Sequence, residues 1–317
     1  MARFDISIAG EINLDLILYG LPEDLPTERE LLGSGFTMTL GSSSAILAHN
    51  LAVLGTKVGF ITKVGNDPLG RIALERLSES GSDLSRVIQS EGHGSGVTLI
   101  LPHDGERHIL TYPGTIFEMK FEDLDLEYLA SARHFHLSSF FLHRAMLDRI
   151  PELFQRMKKA GLSTSLDTND DPEDRWDGVL HATLPYVDIL LPNEREARKI
   201  TGACDLESAL SWLSSRVPIT AVKLGPRGAM AISNGKRYTA PAVPVDVIDP
   251  VGAGDSFNAG FLHQYLQGAD IASCLDYGNL IGAFSTTAPG GTEAFRSPGA
   301  LQQFMKLSSV VHRPTRR

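Results

Sequence analysis

Six short apolar runs, interleaved with stretches of helical spacing, limit what this chain can become more than any other feature. They are Ile6-Ser7-Ile8-Ala9, Val58-Gly59-Phe60-Ile61, Phe135-His136-Leu137, Ser163-Thr164-Ser165-Leu166, Ile189-Leu190-Leu191 and Ala221-Val222-Lys223-Leu224. Strands covered on both faces read this way, because neither face has to alternate toward water. Helical spacing falls at about 43–54, 68–80, 144–160, 194–201, 206–216, 253–267 and 270–288. Strand and helix in alternation predict a three-layer α/β/α sandwich with right-handed crossovers on a mainly parallel sheet. Two segments break the rhythm. About 12–40 and 93–116 read as short strands and turns, with Val97-Thr98-Leu99-Ile100-Leu101 running into a hairpin turn at His103-Asp104-Gly105-Glu106. They are placed to pair as one small sheet. The expected division is therefore an α/β core from 1–11, 41–92 and 117–312, a discontinuous β unit from 12–40 and 93–116, and a solvated tail at 313–317.

A length of 317 residues suits one large α/β domain with an appendage. The formal charge of −9, with no clustered Lys/Arg stripe, argues against nucleic acid as a partner. The N-terminus lacks a signal-peptide pattern and no apolar run approaches a membrane span, so a cytoplasmic location without a membrane partner is expected. Cys204 and Cys274 lie far apart, which indicates neither a disulfide framework nor a zinc site. His134 and His136 alternate along a strand without a third ligand in view and read as sheet histidines. Asp167-Thr168-Asn169-Asp170-Asp171 begins like a calcium loop but lacks its Gly and its closing Glu, so it reads as an acidic loop at a strand end. Neither a G-x-x-x-x-G-K-[ST] loop nor a post-strand G-x-G-x-x-G is present, which weakens P-loop and dinucleotide chemistry.

The chemistry concentrates in Asp249-Pro250-Val251-Gly252-Ala253-Gly254-Asp255-Ser256-Phe257-Asn258-Ala259-Gly260. Pro250 and the glycines predict an extended entry into a helix beginning near Gly252, whose first free N–H groups face an anion. Asp255 would stand one turn in, its charged form favoured by the helix dipole and therefore ionised at neutral pH, ready to take a proton from an alcohol. A bare helix-start role is the simpler reading of an isolated G-x-G-D. Elsewhere, Gly10-Glu11-Ile12-Asn13-Leu14-Asp15 closes the first strand, with Asn13 and Asp15 on one side. Gly41-Ser42-Ser43-Ser44 opens a helix and offers N–H and hydroxyl groups, or simply caps it. Asn193 and Glu196 have the N-x-x-E spacing of a capping box and equally of a loose, water-mediated magnesium site. Lys223, Gly225 and Gly228 form a strand end and glycine turn.

The Asp249–Phe257 stretch resembles the C-terminal signature D-x-x-G-A-G-D-x-F of the PfkB, or ribokinase-like, carbohydrate kinases, matched by Asp249, Gly252, Ala253, Gly254, Asp255 and Phe257. Gly41–Ala48 with Gly65-Asn66-Asp67 resembles the family's first signature, and the resemblance runs from Gly10 to about Thr292. It implies a ribokinase-like fold whose small β-sheet is a lid over the acceptor and a candidate homodimer contact. It implies transfer of the ATP γ-phosphoryl to a primary hydroxyl of a carbohydrate of the ribose, fructose or keto-deoxy sugar acid type. Asp255 would be the base, and the amides of Gly252, Ala253 and Gly254 the anion hole. Asn13, Asp15, Gly41, Ser42, Ser43 and Asp255, with Arg107 from the lid, would meet the acceptor. Asn193, Lys223, Gly225, Gly228, Gly254 and Asn279 would meet ATP, Asn193 and Glu196 would hold Mg2+ through water, and Asp249 with Val251 would flank a monovalent cation such as K+. Three positions depart from the pattern: Ser42 replaces a second Gly, Ile46 a sugar-binding Asn, and Lys223 a common Thr. Ile46 removes an expected polar contact to the acceptor. A nucleoside kinase on the same scaffold and a non-catalytic sugar or nucleotide sensor are the alternative readings.

Overall fold

The structure, a computed structural model, describes residues 2–103, 106–176 and 178–311. The chain begins with β1 (Phe4–Ala9), then β2 (Asn13–Tyr19) and β3 (Gly35–Gly41), helix α1 (Ser43–Val53), β4 (Val58–Ile61) and β5 (Lys63–Gly65). Helix α2 (Pro68–Ser78) leads to β6 (Ile88–Ser90), β7 (Gly96–His103) and β8 (Glu106–Tyr112). Then come α3 (Leu126–Ala130), β9 (Ala132–Leu137), α4 (Ile150–Lys159), β10 (Ser163–Leu166), α5 (Val179–Thr183), β11 (Ile189–Leu190), α6 (Glu194–Thr201) and α7 (Leu206–Ser214). The last elements are β12 (Ile219–Lys223), β13 (Ala229–Ser233), β14 (Lys236–Ala240) and helices α8 (Ala253–Leu266), α9 (Ile271–Ser285) and α10 (Ala300–Val311).

Eight strands make the central sheet in the order β14-β13-β12-β11-β10-β9-β1-β4. The six from β12 to β4 are mutually parallel, while β13 and β14 form an antiparallel edge hairpin. That hairpin was not anticipated: β13 carries the apolar Met230 and Ile232, but its partner β14, Lys-Arg-Tyr-Thr-Ala, is mostly polar and exposed and gives little strand signal. Two cores flank the sheet. Phe135, Leu166, Leu190 and Val222 point into a core with α3 to α7, whereas Ile6, Ile8, Phe60 and Ala221 face α1, α2, α8 and α9. This is the expected three-layer sandwich. The expected helix at 144–160 divides instead into a 3-10 segment, Arg144–Arg149, and α4, because Pro151 fits only a first helical turn. The one at 270–288 is shorter, ending at Ser285.

The 12–40 and 93–116 segments pair as anticipated into a separate four-stranded sheet, β3-β2-β7-β8. In register, Asp15 lies beside Thr39 and Thr98, so Asn13, Asp15, Ile17, Thr98 and Ile100 share one face. The opposite face carries Leu16, Phe36, Leu99, Leu110 and Tyr112, of which Phe36, Leu110 and Tyr112 are exposed. The proposed turn residues Asp104 and Gly105, and the 313–317 tail, lie outside the described residues. No helix among the described residues is long and apolar enough to cross a membrane.

Inside the main sheet, β9 and β10 are linked by polar side chains as well as by backbone. His134 is hydrogen-bonded through Nδ1 to Ser163 Oγ and through Nε2 to Ser165 Oγ, both at 2.7 Å. His136 continues the ladder to Ser165 Oγ at 2.6 Å and Ser138 Oγ at 2.8 Å. Burial pushes both imidazoles down to about 3, so they are neutral. The sheet-histidine reading agrees with these partners.

Candidate active site

Every parallel strand from β1 to β12 ends on the same side, and β1 is where the chain's strand order reverses, with β4 on one flank and β9 on the other. A crevice opens at such a point. Over it lies the small sheet. Asn13 and Asp15 project from β2 across Gly41: a Cβ at Gly41 would stand 2.1 Å from Asp15 Oδ1 and 2.3 Å from Asn13 Oδ1. The Asn13 amide donates to Thr98 Oγ1 at 2.8 Å, and its carbonyl accepts from Ser42 Oγ at 3.1 Å. Ser42 therefore spends its hydroxyl on Asn13, and makes no side-chain cap on α1 although it occupies the N-cap position. Burial and the neighbouring charge of Asp249 push Asp15 up to about 7, while Arg107, on the same face of β8, pulls the other way. Arg107 is exposed.

Below this face runs the Asp249–Asp255 loop. Asp249 accepts the N–H of Val251 through Oδ1 and that of Gly290 through Oδ2, both at 2.9 Å, which ties the loop to the 287–291 turn. Gly252 caps α8 with φ 74°, and a Cβ there would lie 2.4 Å from Gly291 Cα. Only glycine lets the two backbones touch at that angle. The helix thus starts at Ala253, as expected, and the N–H groups of Gly254 and Asp255 fall in the turn that has no helical acceptors. Ile46, read as an apolar residue in the acceptor region, instead covers this loop: its Cδ1 would be 3.3 Å from a Gly252 Cβ and 2.7 Å from a Gly291 Cβ. Asp255 corrects another expectation. Burial, then the charge of Asp167, push its carboxyl up to about 7, outweighing Lys223 and a hydrogen bond from Ser43, so it is only part ionised at neutral pH. Burial and the Asp167 charge, which the motif does not contain, set this direction.

Lys223 ends β12 with its ammonium against this loop, 3.7 Å from where a Gly254 Cβ would stand. It donates to Asp167 Oδ2 at 2.7 Å and to Asn258 Oδ1 at 3.4 Å, and Asn258 in turn donates to Asp167. Asp167 is fully buried, so the acidic loop dismissed from its sequence contributes a charge to the centre of the cleft. Sequence reasoning missed both Asp167 and Asn258. The available signals were the position of Asp167 at a parallel strand's carboxyl end and the i+3 spacing of Asn258 from Asp255.

Asn193 and Glu196 form a complete capping box: Glu196 N–H donates to Asn193 Oδ1 at 2.9 Å and Asn193 N–H to Glu196 Oε2 at 2.8 Å. Burial and Asp167 push Glu196 up to about 7, with Lys223 opposing. Among the described residues no three His, Cys, Asp or Glu side chains cluster as a closed metal site. Surplus negative charge offset by one lysine fits a divalent cation that keeps its waters. Gly225 has φ 58° and open space at its Cβ position, whereas at Gly228, with φ 90°, a Cβ would lie 2.2 Å from Ala240 O. Asn279 donates to Ala240 O at 3.1 Å and Pro241 O at 2.9 Å, joining α9 to the end of the edge hairpin.

A three-layer α/β body, a small sheet over its switch point, and a glycine loop presenting an aspartate beside a lysine define a phosphotransferase-type cleft. The model of the pfkB family carbohydrate kinases matches residues 4–297, and the chain belongs to that family. An ATP-dependent ribose-1-phosphate kinase from Halopiger xanaduensis is 31% identical over 90% of this chain and 93% of its own length. A 2-dehydro-3-deoxygluconokinase from Bacillus subtilis is 28% identical over 88% of this chain and 90% of its own. Arabidopsis thaliana ribokinase, solved with ribose and ATP, superposes with a TM-score of 0.81 at 23% identity, covering 96% of this chain and 99% of that one. The fold is therefore ribokinase-like.

Proposed function

We propose that this protein transfers the ATP γ-phosphoryl to a primary hydroxyl of a sugar or sugar acid, with Asp255 as the base. The observation that carries the reading is the placement of Asp255 in the first turn of α8, next to Gly254 and the Lys223 ammonium, where burial pushes its carboxyl up to about 7. A base titrating near the working pH can both accept the hydroxyl proton and let it go. Asn13 and Asp15 would grip acceptor hydroxyls, with Gly41, Ser42 and Ser43 beside them, and Arg107 would reach the acceptor from the lid. The amides of Gly252, Ala253 and Gly254, with the Lys223 ammonium alongside, would stabilise charge on the equatorial oxygens of the transferring group. Gly225, Gly228 and Asn279 would border the nucleotide. Asn193 and Glu196 would hold Mg2+ through water, and when bound it supplies neutralisation of the phosphate charge. Asp249 and Val251 would flank a monovalent cation. The small sheet would act as a lid that keeps water from competing for the phosphoryl. Its exposed Phe36, Leu110 and Tyr112 support a homodimer through that face, testable by light scattering.

A nucleoside acceptor is the second reading, favoured by the apolar Ile109, which is exposed on the same face of the small sheet as Asp15. The deciding experiment is Mg2+- and ATP-dependent ADP release across pentoses, hexoses, keto-deoxy sugar acids, phosphosugars and nucleosides, with Asp255→Asn beside the native protein. Turnover on one class, lost by at least about a hundredfold in the variant, is expected. Near-native turnover by Asp255→Asn would remove the base assignment.

A further inference from the structure

Three non-glycine residues with left-handed backbone come from three separate loops to one place: Ser42 (φ 69°) after β3, Ser139 (φ 51°) after β9 and Asn169 (φ 51°) after β10. Such conformations persist where the surroundings impose them, and they gather at sites that need a side chain aimed. The side chains of Asn169, Ser139 and Ser43, the residue after Ser42, are joined. Asn169 Nδ2 donates to Ser139 Oγ at 2.9 Å and also to Ser43 Oγ. Ser139 Oγ donates to Glu11 Oε1 at 2.7 Å. Glu11 is buried at the end of the first strand, where it also accepts from Ser44 N at 3.2 Å and Ser44 Oγ at 2.6 Å, with His143 Nε2 at 3.6 Å. Below, the Asn169 N–H donates to Asp167 Oδ1 at 3.3 Å.

Proton accounting gives this chain a direction. A hydroxyl has one proton, and Ser139 has committed its own to the Glu11 carboxylate, so Asn169 must present its NH2 side to Ser139. The second amide proton then goes to Ser43. Having accepted that bond, the Ser43 hydroxyl is left with its single proton to donate, and its remaining partner is Asp255. We propose that Asn169 is a positioning residue for phosphoryl transfer, acting through Ser43 to hold the Asp255 carboxyl toward the acceptor. The proposal rests on Asp255 being the base. The other charged groups facing Asp255 are Asp167 after β10, Lys223 at the end of β12 and Glu11 after β1, none of which the test alters.

Asn169→Gly is the suitable variant, because glycine accepts the left-handed backbone while losing the amide. It is compared with Ser43→Ala, Ser43→Thr, the Asn169→Gly/Ser43→Ala double variant and Asp255→Asn, on the acceptor that the native protein phosphorylates. Expected for Asn169→Gly is a kcat lower by roughly ten- to a hundredfold with KM for ATP unchanged. The acid limb of its kcat–pH profile should move to higher pH, since the charged carboxyl has lost the hydrogen bond that favoured it. Ser43→Ala should do the same, Ser43→Thr should keep the acid limb at its native position whatever its kcat, and the double variant should be no worse than Ser43→Ala alone. Additive losses, or an acid limb that stays in place, would overturn the positioning role while a dead Asp255→Asn kept the base. An active Asp255→Asn would overturn both. Should Asn169→Gly not fold, the contrast between Ser43→Ala and Ser43→Thr decides by the same pH profile.

Discussion

Replacing Gly41 by alanine tests the acceptor side of the cleft with one added carbon. The new Cβ would arrive 2.1 Å from Asp15 Oδ1 and 2.3 Å from Asn13 Oδ1, where an ordinary contact needs at least 3.0 Å. Both groups must therefore withdraw by roughly an ångström, and an ångström of misplacement costs about a hundredfold in rate. That corresponds to about 2.7 kcal/mol of lost transition-state stabilisation. Asn13 cannot retreat freely, being held by Thr98 and Ser42, so the loss should appear in kcat/KM for the acceptor. The nucleotide side shares no atom with this contact, and KM for ATP should stay within about threefold. Steady-state kinetics with each substrate varied in turn measures both. Gly92→Ala is the control, because a Cβ there meets nothing within 4 Å. Native acceptor kinetics in Gly41→Ala would refute the assignment of Asn13 and Asp15 to the acceptor.

Lys223→Met should leave the buried Asp167 carboxylate with Asn258 as its remaining side-chain donor and cost about 3–5 kcal/mol in denaturant unfolding; adding Asp167→Asn should recover part of it. Burial raises Asp15, Glu196 and Asp255 to about 7, whereas unfolded carboxyls titrate near 4, so their stabilising share is full below about 4 and is lost as pH rises through 7. The ligand-free melting temperature should accordingly fall from about pH 7.5 to 8.5, where the unfolded histidines, which titrate near 6.5 and act in the opposite sense, have mostly lost their protons. Magnesium with ATP should raise the midpoint more at pH 8 than at 6.5, and Glu196→Gln should shrink that difference; equal increments at both pH values would count against the acidic surplus.

Six apolar runs were enough to place the parallel strands because strands buried on both faces show their character without reference to a partner. The small sheet was legible for a related reason: its segments lacked helical spacing and carried turn residues. The edge hairpin escaped notice because β14, Lys236–Ala240, is mostly polar and exposed, so the apolar run of β13 had no visible partner. At the site, the position of Asp255 follows from the glycine pattern next to it in the chain. Its proton affinity does not, since that depends on Asp167, Lys223 and Glu11, which approach from other strands. Asp167 shows the same lesson: read along the chain it is one of several acidic residues after a strand, and only the fold brings Lys223 and Asn258 to it. Ile46 looked like a missing acceptor contact by its motif position, yet its side chain lies over Gly252 and Gly291.

The ladder of histidines and serines between β9 and β10 acts as a registration key. A one-residue slip would turn every side chain to the wrong face, and a two-residue slip, which preserves facing, would offset His134 and His136 from Ser163 and Ser165. One of the two neutral imidazoles sealed in the core would then lose its facing serine, so the alternative alignment is penalised. Because Ser139 follows one of these strands and Asp167 and Asn169 follow the other, the key at the centre of the sheet sets the level at which those loops emerge. Errors in the assembly of the core would thus be felt as misalignment a few residues further on, where Ser139 and Asn169, 30 residues apart in sequence, meet.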